Sequence, residues 1–192
     1  MSKVTNITLV GVGGQGILLT SEILARAAAL SGLSVKKSEI HGMSQRGGSV
    51  SSQVRFGKAV FSPIIPDGET DVLVSFEKLE AIRCFPMLRP DGQAVVDLRD
   101  IIPLTVSSGF QVGIENRDEI IAKLYGSRVK LVDSTKIAQE VGNARSANMV
   151  IAGALSKLMP FEIEVWHEAM RSRIKASLLD MNIRAFDAGR NA

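Results

Sequence analysis

Two stretches of this chain carry residue types and spacings that can do chemistry. The first is Gly11-Val12-Gly13-Gly14-Gln15-Gly16, which follows the apolar run Ile7-Thr8-Leu9-Val10. Gly11, Gly13 and Gly16 satisfy a G-x-G-x-x-G spacing in the right context, with a strand before and a helix after. In that pattern the first glycine permits a tight turn and the second lets a phosphate approach the backbone. The third lets helix and strand pack closely. A helix N-terminus adds unpaired N–H donors and partial positive charge. The loop reads in one of two ways. It is a site for a nucleotide or another phosphorylated ligand, met by Gly11, Gly13, Gly14, Gln15 and Gly16, or it is a strand-to-helix turn that binds nothing. Lys36 and Lys37 count against NAD, because they stand near where an acidic ribose-binding residue is expected; Glu39 is the substitute. No Gly-Lys-Ser/Thr closes the motif, which argues against a P-loop.

The second stretch is His41-Gly42-Met43-Ser44-Gln45-Arg46-Gly47-Gly48-Ser49. Arg46 can pair bidentately with a carboxylate or a phosphate. Gly47 and Gly48 let the backbone bend and expose amide donors. His41 can exchange a proton near neutral pH, or serve as a hydrogen-bonded structural histidine. As a whole, the loop reads as functional, since polar loops at the carboxyl edge of α/β sheets usually carry the chemistry. No nucleophile elbow, triad or metal-ligand cluster accompanies it. Cys84, beside Phe85, reads as a core residue, and Trp166 as the anchor of a C-terminal helix. Arg171, Arg173 and Lys175 read as the solvated face of that helix.

The elements that must position these loops follow from hydrophobic spacing. Apolar runs at 7–10 and 71–75 predict buried strands, and 94–97 and 129–132 predict strands as well. Residues 34–40 predict another strand. Residues 49–57 alternate, with Val50, Val54 and Phe56 on one side and Ser49, Ser51, Gln53 and Arg55 on the other. Helices are expected over 16–31, 77–88, 116–125 and 135–158, the last capped by Ser134 or Thr135 and broken at Gly142-Asn143. Pro90-Asp91-Gly92 predicts a turn, and 101–114 an extended segment. A final helix is expected over 162–181, with Ile163, Trp166, Met170, Ile174, Leu178 and Met181 as its apolar stripe. The alternation predicts an α/β, Rossmann-like fold: a mostly parallel sheet, helices on both faces, and long C-terminal helices. Both loops then fall at the carboxyl ends of the strands, where such sheets bind ligands.

Composition narrows the function. The formal net charge is only +3 and the basic residues are spread out, which argues against nucleic acid as a partner. The single cysteine rules out an internal disulfide and makes a reducing cytoplasm the default. It also rules out an iron–sulfur cluster held by this chain alone, because such clusters take about four thiolates. No metal is expected. Neither a signal-peptide pattern nor a run of ~20 apolar residues is present, so no membrane association is expected.

Taken together, the two loops resemble the gamma-type domain of the 2-oxoacid:ferredoxin oxidoreductases. Gly11-Val12-Gly13-Gly14-Gln15-Gly16-Ile17, Arg46-Gly47-Gly48-Ser49, Phe61-Ser62-Pro63 and Asp71-Val72-Leu73-Val74 carry the likeness. Ser38-Glu39-Ile40-His41-Gly42-Met43-Ser44-Gln45-Arg46-Gly47-Gly48, Phe76-Glu77-Lys78-Leu79-Glu80-Ala81 and Gly142-Asn143 followed by Asn148 resemble its indolepyruvate branch, where such a chain is the beta subunit. The resemblance covers nearly the whole chain and implies one gamma-type domain over 1–192. It implies a subunit of an enzyme that decarboxylates aryl 2-oxoacids to coenzyme A thioesters and reduces ferredoxin. The same resemblance places thiamine diphosphate, Mg and [4Fe-4S] clusters in a larger alpha subunit, in an α2β2 assembly. The loop at 41–49 would face that partner's active site, and Arg46 would meet a substrate carboxylate or a coenzyme A phosphate. The alternatives are a gamma subunit for pyruvate, 2-oxoglutarate or branched-chain 2-oxoacids, a stand-alone NAD(P)-dependent dehydrogenase, and a nucleotide-sensing module without chemistry.

Overall fold

A computed structural model describes residues 4–41 and 48–192. In chain order the elements are β1 (Thr5–Val12), α1 (Ile17–Leu30), β2 (Ser34–His41), β3 (Ser49–Gly57), β4 (Thr70–Ser75), α2 (Lys78–Cys84), β5 (Leu88–Asp97), α3 (Leu104–Ser107), α4 (Arg117–Tyr125), β6 (Val129–Val132), α5 (Ser134–Glu140), α6 (Ala147–Ser156), α7 (Ile163–Arg171) and α8 (Ala176–Asn191). The six strands form one sheet in the order β2-β3-β1-β4-β5-β6. β1, β4, β5 and β6 pair in parallel. β3 is antiparallel to both β1 and β2, so it alone runs against the others.

β1, β4 and the second half of β5 are covered on both faces, which is why they do not alternate in polarity, whereas the edge strand β6 leaves Lys130 and Leu131 exposed. Ile7, Leu9, Val72, Val74 and Val95 face a layer built from α1, α5, α6, α7 and α8. Val10, Leu73, Ala94 and Val96 face a smaller layer built from α2 and α4. β3 does alternate, with one side in the larger core and the other met by polar contacts. Val50, Val54 and Phe56 join the larger core. On the opposite side, Gln53 accepts from the Ile65 backbone at 3.0 Å, and Arg55 donates to the carbonyls of Ser62 and Ile64 at 3.1 and 2.7 Å. Those bonds draw the Phe61-Ser62-Pro63 segment over the polar side of the strand.

Four expectations need correction. The helix after β4 stops at Cys84 and passes through a 3₁₀ turn, Phe85–Met87, because Pro86 cannot continue an α-helical ladder. Pro90-Asp91-Gly92 makes a bulge inside β5 rather than a turn before it: pairing slips between Thr70↔Leu88 and Val72↔Gln93. Asp133, not Ser134 or Thr135, caps α5 by accepting from Lys136 N at 3.0 Å, while Ser134 turns inward and donates to the buried Asp97. The 101–114 segment is not extended throughout, since it holds the single turn α3.

The largest departure lies at the C-terminus. The expected helix over 162–181 is two helices, α7 and α8, separated at 172–175. Trp166 and Met170 are fully buried, whereas Leu178 is 50% exposed and belongs to no common stripe with them. No proline or glycine marks the break; packing does. α8 lies against α6 backbone to backbone. A Cβ on Gly153 would sit 2.0 Å from the Phe186 carbonyl oxygen, and one on Gly189 would sit 2.0 Å from that of Val150. Only glycine at both positions permits that approach, and an unbroken helix could not reach it. No helix among the described residues is long and apolar enough to cross a membrane.

The Gly153 contact decides the sign of one substitution. In an exposed helix Gly→Ala stabilises by about 1 kcal/mol. Here Gly153→Ala must push α8 off α6 and is expected to cost about 3 kcal/mol, as overpacking does. The urea midpoint of the purified chain reads the difference, and a rise would mean that the two helices are not in contact.

Candidate functional site

The glycine loop joins the carboxyl end of β1 to α1. Gly14 and Gly16 have φ of +99° and +80°, a region that L side chains avoid. Gly16 caps α1 with no side-chain bond. The close approaches that the spacing predicted are present. A Cβ on Gly11 would lie 2.5 Å from Gln15 Oε1 and 2.8 Å from Phe76 Cβ; one on Gly16 would lie 2.6 Å from Asn148 Nδ2. Gln15 turns back into its own loop. Its Oε1 accepts from Val12 N at 2.7 Å, and its Nε2 donates to the Phe76 carbonyl at 3.0 Å. Gln15 therefore holds the loop's shape. Among the described residues, nothing lies within 4 Å of where a Cβ on Gly14 would be.

The second loop is tied to the first. Gly13 N donates to the Gly48 carbonyl at 2.9 Å, and Val12 pairs with Ser49 in the β1–β3 ladder. His41 ends β2 opposite Val50. Both ends of the loop thus stand at the carboxyl edge of β1, as expected. Met43, Ser44, Gln45, Arg46 and Gly47 lie outside the described residues, as does the side chain of His41.

The structure adds two carboxylates that sequence reasoning did not place in the site. Ser49 Oγ donates to Glu80 Oε2 at 2.6 Å. Glu80 also accepts from Arg83 at 3.0 Å. Glu77 caps α2, accepting from Leu79 N at 2.9 Å and from Glu80 N. Both glutamates are buried, at 1% and 4% exposure. Burial pushes the Glu77 carboxyl above its ordinary value, against the pull of its two backbone bonds. With Val12, Ser49, Arg83 and Pro103 they line a small cleft of about 180 Å³. The available signal was a glutamate at a helix start followed three residues later by a second one. Cys84 is half-buried against the smaller core, and burial, then the Glu80 charge, pushes its thiol up to about 11. That fits a core thiol, not a nucleophile.

Two further readings change. Arg173 and Lys175 are not on a helix face. They lie in the 172–175 break, beside the glycine loop. Lys37 pairs with Glu22 and Glu39 at 3.0 and 2.7 Å, so the candidate ribose ligand Glu39 is already engaged. β3 also separates β2 from β1. At about 4.8 Å per strand, Glu39 stands roughly 10 Å across the sheet from β1. Among the described residues no group of three His, Cys, Asp or Glu side chains is placed to hold a metal.

A Rossmann-like scaffold, with its polar loops gathered and cross-tied at one sheet edge, is the class that this fold and site define. The profile of the pyruvate ferredoxin/flavodoxin oxidoreductase family matches residues 6–192. The chain belongs to that family. Indolepyruvate oxidoreductase subunit IorB of Archaeoglobus fulgidus is 43% identical over 190 residues, covering 97% of this chain and 94% of that protein. The subunit of the same name from Thermococcus kodakarensis is 38% identical over 191 residues, covering 97% and 95%. Among solved structures, the gamma subunit of a keto/oxoacid ferredoxin oxidoreductase from Geobacter sulfurreducens superposes with a TM-score of 0.70 at 25% identity, covering 97% of this chain and 96% of that one.

Two measurements check the carboxylate site. Glu77→Ala removes a cap worth about 1 kcal/mol. Because the folded-state value of Glu77 lies above its ordinary 4.5, its contribution is largest below that pH and declines as pH rises through the raised value. The gap in urea midpoint between wild type and Glu77→Ala should be wider near pH 4 than near pH 7; the opposite trend would make Glu77 a stabilised anion. The Cys84 thiolate fraction at pH 8 should be about a hundredfold below that of an ordinary cysteine. Iodoacetamide labelling of the folded chain should be at least about tenfold slower than that of a free cysteine, because the more basic thiolate recovers part of the loss, and labelling at the rate of free cysteine would contradict the burial.

Proposed function

We propose that this chain is the beta subunit of an indolepyruvate-type, aryl 2-oxoacid:ferredoxin oxidoreductase. The complex would oxidatively decarboxylate the 2-oxoacid to an aryl-acetyl coenzyme A thioester and pass the electrons to ferredoxin. The observation that carries the reading is end-to-end similarity, at 43% and 38% identity, to subunits bearing that name. Coverage of 6–192 by one family profile supports a single gamma-type domain.

The partner is a larger alpha subunit in an α2β2 assembly. It would hold thiamine diphosphate with Mg, and the [4Fe-4S] clusters. The donor set of this chain supports that division, because four thiolates are needed and one cysteine is present. Thiamine diphosphate supplies the carbanion chemistry of decarboxylation. The role left to this chain is to bind and orient. The loop of His41, Met43, Ser44, Gln45, Arg46, Gly47, Gly48 and Ser49 faces the partner's active site. Arg46 meets the substrate carboxylate or a coenzyme A phosphate. The tie between Gly13 and Gly48 supports this role, since it fixes the C-terminal end of the loop to rigid sheet. A cytoplasmic location fits a chain that cannot form an internal disulfide. The other family readings, with pyruvate, 2-oxoglutarate or branched-chain substrates, have weaker similarity behind them. The stand-alone NAD(P) reading is disfavoured by the pairing of Glu39 with Lys37 and by the strand between β2 and β1.

Co-expression with the thiamine-binding partner tests the assignment. Coenzyme A-dependent ferredoxin reduction on indolepyruvate is expected from the complex and from neither subunit alone. Equal activity of the partner without this chain, or preference for pyruvate, would overturn it. Arg46→Ala in the complex should lower kcat/KM at least tenfold; unchanged activity would remove the loop from the site.

A further inference from the structure

The segment that joins β5 to α4 is apolar where a surface loop is usually polar. Residues 101–114 hold no Asp, Glu, Lys, Arg or His. Yet Ile102, Phe110, Val112 and Ile114 are exposed, Phe110 at 85% and Val112 at 96%. None of the four belongs to either core. Single exposed apolar side chains are ordinary, but four on one uncharged loop mark a contact surface.

The loop is held in shape. Arg117, itself buried, donates to the Asp100 carboxylate and to the carbonyls of Ile101 at 3.2 Å and Ile114 at 3.0 Å. One guanidinium therefore clasps both ends of the loop, as its planar fork of donors allows. A surface ordered beforehand loses less entropy when it is covered. A cleft of about 210 Å³ opens beneath the loop, with Leu79, Pro103, Val106, Val112 and Ile114 on its apolar side.

Charge and position name what covers this surface. Asp100, Glu115, Asp118 and Glu119 flank the loop, and all four are exposed. Arg117 matches Asp100, and Lys78 matches Asp118 at 2.7 Å. Among the described residues, Glu115 and Glu119 have no ion-pair partner. A second copy related by a two-fold axis through the loop would set those carboxylates against their own counterparts, which like charge disfavours. The surface that fits is an apolar groove bordered by Lys and Arg. As to position, the loop leaves the carboxyl end of β5, and Ile101, Ile102 and Pro103 line the small cleft that Ser49 and Glu80 also line. It is therefore continuous with the stem of the 41–49 loop.

We propose that the 101–114 loop docks the larger, thiamine-binding subunit, with Phe110 and Val112 entering an apolar groove on that subunit bordered by Lys and Arg. The identity of the occupant rests on the enzyme assignment above.

Surface plasmon resonance between the full-length chain and the full-length larger subunit tests it. Phe110→Ser/Val112→Ser is expected to raise Kd at least about a hundredfold. Both side chains are exposed, so the urea midpoint of the variant chain should match wild type. Glu115→Lys/Glu119→Lys, also at exposed positions, should slow association at least about threefold at low salt, and the gap should close as salt rises. Weakening in both variants supports the docking whether or not the complex oxidises indolepyruvate, so the substrate assignment is read separately, from activity. Wild-type affinity in both variants overturns the proposal and leaves the enzyme assignment standing. No association of the wild-type chain overturns both. A homodimer of the isolated chain that Phe110→Ser/Val112→Ser dissolves, with binding to the larger subunit unchanged, would assign the loop to a second copy and also overturns the proposal.

Discussion

One strand running the wrong way organises the carboxyl edge of this sheet. β3 lies between β2 and β1 and is antiparallel to both. Its two rows of backbone groups are therefore satisfied on both sides, which anchors it as firmly as any central strand. Because it runs back from the end of β2, its first residues arrive beside the last residues of β1. Gly48 then meets Gly13, and Ser49 meets Glu80. The same insertion pushes β2 one strand farther from the glycine loop. A dinucleotide-type loop is kept, while the acidic partner that a dinucleotide site needs is carried away.

The glycine loop has a different electrostatic neighbour on each side. Toward β3 and α2 stand Glu77 and Glu80, buried and hydrogen-bonded, with Glu77 driven toward its neutral form by burial. Toward α6 and α8 stand Arg145, Arg173 and Lys175. Gln15 and Asn148 separate the two sides: Gln15 holds the loop from within, and Asn148 packs against Gly16. Between the two, the loop is held rigid by the Gln15 bonds to Val12 and Phe76.

The basic side depends on a contact far along the chain. Gly153 and Gly189 let α6 and α8 touch through their backbones. That crossing sets where α8 must start, and so forces the break after α7 that brings Arg173 and Lys175 to the glycine loop. Without the break the two basic residues would be ordinary members of a solvated helix face, as their local sequence reads.

The sequence by itself determined the strand–loop–helix unit, the covered strands and the side of β3 that enters the core. These follow from short-range rules: apolar runs, period-two alternation, and glycines where φ is positive or a neighbour presses close. It also determined, through its single cysteine, that this chain alone cannot hold an iron–sulfur cluster, and its motifs carried the family resemblance. Tertiary structure alone decided the direction of β3, the Glu77–Glu80–Ser49 contact, the bulge at 89–92 and the division of the last helix in two. Each joins residues distant in sequence, or turns on whether two backbones can approach. Gly153 inside an apolar helix gives no local sign that another helix lies 2.0 Å from its missing Cβ. The G-x-G-x-x-G spacing announced a helix N-terminus; only the fold brought Arg145, Arg173 and Lys175 beside it.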